Sequence, residues 1–308
     1  MRSRPIPRLR FAAIILILAC AAIVAFLVAC PPVPVRPASP APPVVPVAPA
    51  ATTVPPRQTE PPPRAPVIAA ATAPEHPRPE KEGLVALVLD DAGYNLEELK
   101  AFLDLPGTFT VAVLPNLPHS REAARMVLAA GKDLILHCPM EPDGGENPGP
   151  GALLVGLDPR EIEARLARAF ASVPGAQGMN NHMGSRATAN EALMTTVIGY
   201  LKKEGRFYID SRTTPETVGP RIAQSLGVPW AQRDVFIDDD SAPDRVRAAW
   251  SRGLDEARDR GSAILIGHVQ NRAVLDILRS GEKELSGRQE RLARLVDVIA
   301  QRERNPVE

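Results

Sequence analysis

The stretch GLVALVLDDAG, residues 83–93, decides the fold, because a run of aliphatic residues leads directly into Asp90, Asp91 and a glycine. A short apolar run bounded by turn residues is typical of a strand that is buried on both faces. Similar runs recur in AVLPN, LILHCP, GMNNH, YIDS, VFIDDD and LIGHV, and stretches of helical periodicity lie between them. Alternating strands and helices predict parallel strands that are joined by crossover helices.

We therefore predict seven strands and six helices in the globular part of the chain. The strands are Leu84–Leu89, Phe109–Leu114, Asp133–Leu136, Gly178–Asn181, Phe207–Ile209, Val235–Ile237 and Ala263–Ile266. The helices are Ser120–Ala130, Pro159–Ser172, Asn190–Glu204, Pro215–Leu226, Asp244–Arg260 and Arg288–Arg302. This α/β pattern fits either an irregular (β/α) barrel or a doubly wound sheet.

The globular domain is predicted to span residues 83–308, because the preceding segments cannot build a core. Residues 31–82 hold 18 of the 34 prolines and no aromatic residue, which is typical of a disordered Pro/Ala-rich linker. Residues 1–30 place four arginines before an uncharged run of 20 residues, Phe11–Cys30. Twenty helical residues are long enough to cross a bilayer, so this segment predicts attachment to the membrane.

The arginine-rich flank should stay in the cytoplasm, which places the domain on the periplasmic or extracytoplasmic side of the cytoplasmic membrane. Two forms of attachment remain open. The apolar run is longer than that of a usual cleaved signal, which favours an uncleaved signal anchor. The sequence LVAC at residues 27–30 instead resembles a lipoprotein signal, with Cys30 as the acylated residue.

Charge and cysteine content exclude two classes of protein. Residues 81–308 hold 28 basic and 33 acidic side chains, which argues against a nucleic-acid-binding domain because such a domain needs a basic face. The chain has three cysteines, two of them within the apolar run, which excludes a disulfide-stabilised scaffold.

Polar side chains end six of the seven predicted strands. They are Asp90 and Asp91; His137; Asn181 and His182; Asp210; Asp238 with Asp239 and Asp240; and His268. Because the carboxyl ends of parallel strands form the usual site of α/β folds, we predict a functional site there. Two imidazoles and a carboxylate are an ordinary ligand set for catalytic Zn²⁺, and a second carboxylate can accept a proton from water.

Several of these segments together resemble a known family. The segments LVLDDAGYN, AVLPN, LILHCPMEP, GMNNHMGSRAT, YIDSRTT, RDVFIDDD and LIGHV, spread over residues 83–270, resemble the divergent polysaccharide deacetylases. These are distant relatives of the larger group of carbohydrate esterases, the NodB-like polysaccharide deacetylases. The resemblance implies a deformed (β/α) barrel and a metal-dependent hydrolase that removes N-acetyl or other acyl groups from peptidoglycan or an exported glycan.

The resemblance also implies roles for individual residues. Asp90 corresponds to the general base, Asp91 to a metal ligand and His268 to the general acid. The larger group takes its two other ligands from histidines that lie close together in one segment, but no second histidine follows His137 nearby. We therefore expect His182, from the next strand, to complete the site, with Zn²⁺ as the expected ion.

Other residues are predicted to support this site. Arg212 is a candidate oxyanion donor. Asn181, Asp210, Asp238 and Tyr94 are candidates for binding the substrate or for orienting the catalytic groups. Cys138 is interpreted as a small buried residue, because neighbouring side chains of a strand face opposite ways.

Two other functions remain open. The altered histidine spacing, and the lack of a recognisable Arg-Pro-Tyr segment, favour a non-catalytic glycan-binding or cell-wall-regulatory protein with a deacetylase-like fold and a cell-wall protein as its partner. A sugar-cleaving hydrolase would instead pair Asp90 with Asp210 or Asp238. That alternative leaves the histidines without a role.

Overall fold

The computed structural model describes residues 82–286 and 290–304. The predicted membrane segment of residues 1–30 and nearly all of the predicted linker of residues 31–82 lie outside these described residues. Among the helices that are described, none combines the length and the apolar character needed to cross a membrane.

Nine strands form one sheet in the described residues, and every pairing between them is parallel. They are β1 (Gly83–Ala92), β2 (Thr110–Val113), β3 (Asp133–Met140), β4 (Gly178–Met183), β5 (Phe207–Asp210), β6 (Trp230–Gln232), β7 (Val235–Phe236), β8 (Ser262–His268) and β9 (Glu290–Leu292). The order across the sheet is β6-β5-β4-β3-β2-β1-β8-β7. The short strand β9 pairs with the first residues of β1, beside the stretch that pairs with β2.

Nine helices accompany the strands in the described part of the chain. They are α1 (Leu96–Leu103), α2 (Ser120–Ala129), α3 (Pro159–Ser172), α4 (Ser185–Thr188), α5 (Glu191–Lys203), α6 (Gly219–Leu226), α7 (Pro243–Arg260), α8 (Arg272–Ser286) and α9 (Leu295–Arg304). Local chemistry explains several ends: Asn190 caps the start of α5 with its side-chain oxygen, and Gly227 and Gly261 end α6 and α7 in the left-handed conformation.

The sheet separates two apolar clusters. The outer face packs against helices α1 to α8, whereas the inner face packs against α9. The inner cluster comprises Ala86, Val88, Ala112, Ile135, Phe207, Ile209, Ala231, Ile264 and Ile266 from the strands, Ala293, and Leu295, Val298 and Ile299 from α9. This apolar filling closes the lower part of the curved sheet, so a site can form only at the carboxyl ends of the strands.

The sheet is a half-barrel, since β6 and β7, its two ends, are not paired with each other in the described residues. Arg302 of α9 lies at this gap, where its guanidinium donates to the Gln232 carbonyl at 3.5 Å and to Asp234 Oδ2 at 2.5 Å. The predicted α/β class and deformed barrel are therefore confirmed.

Some predicted elements were wrong or missing. The closing helix does not begin at Arg288, because Glu290–Leu292 form β9 and the helix begins at Leu295. Strand β6 and helices α1, α4 and α8 were not predicted. Strands of three residues are too short for a sequence period to show, and only pairing with a neighbouring strand reveals them.

Candidate metal centre

Strand alternation brings five polar residues to the inner face, above the apolar cluster. Asp90, His137 and His268 each follow an inner-face apolar residue by two positions on β1, β3 and β8. Asn180 and His182 share one face of β4, and both make contacts with His137. Residues two apart on a strand point to the same side, so these side chains meet at the mouth of the half-barrel.

Asp91 reaches the same mouth because β1 carries a bulge. In the pairing of β1 with β2, three steps along β1, from Leu89 to Ala92, match two steps along β2. Asp91 has a left-handed backbone with a φ of 64°, and its carbonyl accepts a hydrogen bond from Gln270 at 3.2 Å. Alternation alone would put Asp91 on the outer face, and the bulge re-aims its carboxylate toward the mouth.

Three donor atoms converge at this point. Asp91 Oδ1 lies 3.1 Å from His137 Nε2 and 3.0 Å from His182 Nδ1, and the two nitrogens are 3.1 Å apart. Asp91 Oδ1 is buried and makes no well-aligned hydrogen bond to any described residue, despite these close approaches. Two ligands of a tetrahedral zinc ion lie about 3.3 Å apart, which is close to the separations found here.

The protonation of His137 supports the same conclusion. Asn180 donates its amide to Asp90, at 2.8 Å to Oδ1 and 3.1 Å to Oδ2, so its oxygen is the atom that faces His137 Nδ1 at 2.8 Å. His137 Nδ1 is therefore assigned as the donor, which leaves the lone pair of Nε2 directed at Asp91. An imidazole lone pair and a carboxylate oxygen 3.1 Å apart repel each other unless a proton or a metal ion lies between them. The donor set fits a divalent metal ion.

The electrostatics separate the two aspartates. Burial raises the pKa of Asp90 above its ordinary value, although neighbouring imidazoles and the amide of Asn180 oppose the rise. Burial acts to raise the pKa of Asp91 as well, but the close approach of His137 and His182 overcomes it and holds that pKa well below its usual range. Asp90, a proton acceptor with a raised pKa, thus lies beside Asp91, a carboxylate that stays ionised. Two neighbouring carboxylates with different pKa values can take different roles in acid–base chemistry.

His268 is oriented by Asp238. Asp238 accepts from His268 Nδ1 at 3.1 Å and from its backbone amide at 3.0 Å, so that Nε2 points toward the mouth, 4.0 Å from Asp91 Oδ2. Burial lowers the pKa of His268, but Asp238 and the more distant carboxylates of Asp90 and Asp91 reverse this and raise the pKa to about 9. His268 therefore retains a proton at neutral pH, as a general acid must.

Asp210 lies on the opposite side of the sheet from these residues. It shares the outer face with Tyr208, is completely buried, and accepts hydrogen bonds from Tyr208 Oη at 3.0 Å and Thr217 Oγ1 at 2.6 Å. It also accepts from the amide of Arg212 at 2.7 Å. Its carboxylate organises the chain that follows β5 and does not reach the mouth.

The remaining predicted residues take different places. Asn181 is buried and accepts from the amide of Ser211 at 2.9 Å, which ties β4 to the end of β5. Arg212 is exposed, with a left-handed φ of 50°, and its guanidinium makes no hydrogen bond within the described ranges. Tyr94 follows the bulge with 57% of its surface exposed, so its ring is free to contact a substrate.

Sequence reasoning missed two residues at the site. Asn180 joins Asp90 to His137, and the alternation of β4 relative to His182 was the signal that pointed to it. Arg233 donates to the carbonyls of Ser211 at 2.7 Å and Arg212 at 3.0 Å, and no sequence pattern indicated this role.

Cys138 lies away from the metal ligands in the packing of the sheet. It belongs to the outer cluster and is 2% exposed, and burial raises the pKa of its thiol to about 12. A thiol with such a pKa stays protonated at neutral pH and does not serve as a metal ligand there.

The fold and the site define a half-barrel α/β protein with a candidate Asp-His-His metal centre at its mouth. A profile of the divergent polysaccharide deacetylases matches residues 87–299, and the chain belongs to this family. The family supports carbohydrate deacetylation as the class of reaction and a polysaccharide as the class of substrate.

Two curated relatives are similar to this chain in sequence, and both are described as uncharacterized proteins. The chain is 35% identical over 201 residues to an uncharacterized protein of Haemophilus influenzae. The aligned region covers 65% of this chain and 71% of that protein. It is 37% identical over 190 residues to the uncharacterized protein YibQ of Escherichia coli K12. That aligned region covers 62% of this chain and 60% of YibQ. The chain thus spans about three fifths of the length of YibQ.

A solved structure has the same fold. The crystal structure of an uncharacterized protein from Agrobacterium tumefaciens C58 aligns with a TM-score of 0.66 and 23% sequence identity. The alignment covers 73% of this chain and 91% of that protein.

Proposed function

We propose that this protein is a metal-dependent hydrolase that removes N-acetyl or other acyl groups from an envelope or exported polysaccharide, such as peptidoglycan. We further propose that it acts on the extracytoplasmic side of the cytoplasmic membrane, attached through residues 1–82. The observation that carries the enzymatic proposal is the convergence of Asp91, His137 and His182, with separations of 3.0–3.1 Å, in a chain of this family.

A divalent ion held by these three residues, with Zn²⁺ as the expected occupant, would supply an acidified water molecule and polarise an acyl oxygen. Asp90 is the proposed general base. It lies on the inner face beside the ligands, and its carboxylate is held by the amide of Asn180. Its raised pKa brings it nearer to neutral pH, where a base is more effective.

His268 is the proposed general acid. Hydrolysis breaks the bond between the acyl carbon and the sugar nitrogen, and the departing amine needs a proton. His268 Nε2 faces the mouth, and Asp238 keeps the ring oriented and protonated. Asp90 and His268 are paired neighbours on β1 and β8, so proton uptake and proton delivery are proposed for adjacent groups beside the ligand cluster.

Metal analysis of the full chain, purified without chelator, tests the proposal together with acetate release from acetylated chitooligosaccharide or peptidoglycan. We expect about one equivalent of metal per chain and measurable acetate release. Asp91→Asn and His182→Ala should each remove most of the metal and abolish release, because a three-ligand site loses a ligand. His119→Ala is the matched control, since His119 is exposed at the start of α2, and it should change neither quantity.

A wild-type chain that folds and binds glycan without metal would refute the enzymatic proposal. That result would instead favour the non-catalytic, glycan-binding alternative. Retention of full metal content in both ligand variants would show that the three residues do not hold the ion.

A further inference from the structure

One buried hydroxyl near the mouth has no partner. Ser211 is 7% exposed, and its Oγ makes no hydrogen bond to any of the described residues. Buried polar atoms are normally paired, and an unpaired hydroxyl costs free energy unless a bound molecule satisfies it. The unpaired Oγ therefore indicates that a ligand binds at this position.

The backbone of Ser211 is held on both sides. Its amide donates to Asn181 Oδ1 at 2.9 Å, and its carbonyl accepts from Arg233 Nε at 2.7 Å. These contacts restrain the peptide groups on either side of the residue and leave only the hydroxyl unsatisfied. A donor that is fixed before the ligand arrives loses little entropy on binding.

Strand register puts this hydroxyl next to the metal ligands. The pairing of β4 with β5 ends with Asn180 opposite Ile209, and His182 and Ser211 each follow that pair by two residues. Ile209 belongs to the inner cluster, and Ser211 follows it by two positions, on the same face. Neighbouring strands lie about 4.8 Å apart, so continuation of the same register would place Ser211 about one strand spacing from His182, a ligand of the proposed ion.

The hydroxyl is suited to binding rather than to attack. No imidazole or carboxylate of the described residues hydrogen-bonds to Ser211 Oγ, so it lacks the adjacent base that activates a serine nucleophile. A neutral hydroxyl donates one hydrogen bond and accepts others, which suits the oxygen of an acyl group or of the carboxylate that hydrolysis releases.

We propose that Ser211 is a substrate-binding residue whose hydroxyl donates a hydrogen bond to the acyl oxygen of the substrate and to the carboxylate product beside Asp91, His137 and His182. This inference rests on the proposed function, because it assigns the ligand of the same site. It adds a side-chain donor from the residue directly after β5 to a site whose other groups come from β1, β3, β4 and β8.

Acetate binding to the cobalt-loaded full chain tests this role without any turnover. Co²⁺ replaces the native ion, and its visible absorption reports changes at the site as acetate is added. Ser211→Ala should raise the acetate Kd about 10- to 100-fold, the usual effect of losing one hydrogen bond to a charged group. The cobalt content should stay the same, because Ser211 is not a ligand.

Thermal stability separates this role from a structural one. Removing an unpaired hydroxyl should leave the Tm unchanged or slightly higher, whereas a structural serine would lower the Tm and leave the acetate Kd unaltered. Ser225→Ala is the matched control: Ser225 bonds within α6 to the Ile222 carbonyl at 2.9 Å, so the acetate Kd should not change.

The possible outcomes separate this inference from the proposed function. Cobalt and acetate binding without any deacetylation would refute the proposed function, while a weaker acetate Kd in Ser211→Ala would still support the inference. An unchanged acetate Kd in Ser211→Ala, or cobalt-loaded protein that does not respond to acetate, would overturn the inference alone. Failure to bind cobalt would overturn both.

Discussion

Asp90 and Asp210 look alike in the sequence, but their side chains lie on opposite faces of the sheet. Each ends an apolar strand, and each is buried, with 3% and 0% of its surface exposed. Asp90 faces inward and is held by Asn180 beside the two histidines. Asp210 faces outward and is held by Tyr208 and a threonine of the following loop.

The alternation of side chains between the two faces of the sheet, here called the strand phase, decides which side each aspartate faces. Two residues before Asp90 the chain has Val88, which belongs to the inner cluster, whereas two residues before Asp210 it has Tyr208, which belongs to the outer cluster. The same rule divides Asn180 from Asn181 on β4. A polar residue at a strand end is thus a site candidate when its phase matches that of the inner face, or when a bulge redirects it, as in the case of Asp91.

The largest effect should separate the two aspartates. Asp90→Asn should lower kcat by about 10²–10⁴-fold with the metal retained, because it removes the proposed base but no ligand. Asp210→Asn should keep kcat and metal content, and should lower the free energy of unfolding by about 1–3 kcal/mol through its lost hydrogen bonds. Acetate release, metal analysis and denaturant unfolding measure the three quantities. Full activity in Asp90→Asn would exclude Asp90 as the base.

A smaller effect should separate the two asparagines. Asn180→Ala should weaken metal affinity or activity by about 10–100-fold, since it removes the group that orients His137 and holds Asp90. Asn181→Ala should lower the Tm, because it releases the end of β5, and should leave the metal affinity close to that of the wild type. Chelator competition and thermal melting are the measurements. Equal loss of metal affinity in both variants would contradict the rule of strand phase.

The smallest effect at neutral pH concerns Asp238. With the pKa of His268 raised to about 9, His268 stays protonated below that value, and activity that needs this proton falls as the pH rises through it. Asp238→Asn removes the main cause of the rise, so the alkaline limb of kcat/KM should move to lower pH by at least about one unit. The activity should change only a few-fold at pH 6.

Asp239→Asn is the control for this prediction, because Asp239 is exposed, and it should leave the alkaline limb of kcat/KM in place. An unmoved limb in Asp238→Asn would show that His268 does not supply the proton.

Local signals explain why the fold was largely predictable. All seven predicted strands are present, since short aliphatic runs that are bounded by turn residues, such as residues 84–89, are typical of buried strands. The missing strands are those whose existence depends on pairing with another strand. Strand β9 forms because Glu290–Leu292 pair with Gly83–Val85, more than 200 residues away. No local period records such a pairing.

The site was predictable in its residue types but not in its connections. Asp91, His137 and His182 were chosen as ligands, and their donor atoms converge. Asn180 was overlooked and Asn181 was selected instead, although alternation along β4 from His182 points to Asn180. Asp210 was selected for its charge, although its side chain turns away from the mouth.

By itself, the sequence determined the order of strands and helices, the family and the residue types available at the strand ends. These are local properties, written in apolar runs, caps and short motifs. Only the tertiary structure decided which of those residues share a site. Strand phase, the bulge that turns Asp91 inward and the register between β4 and β5 all depend on pairing between strands. Such pairing joins distant parts of the chain, so no single segment can specify it.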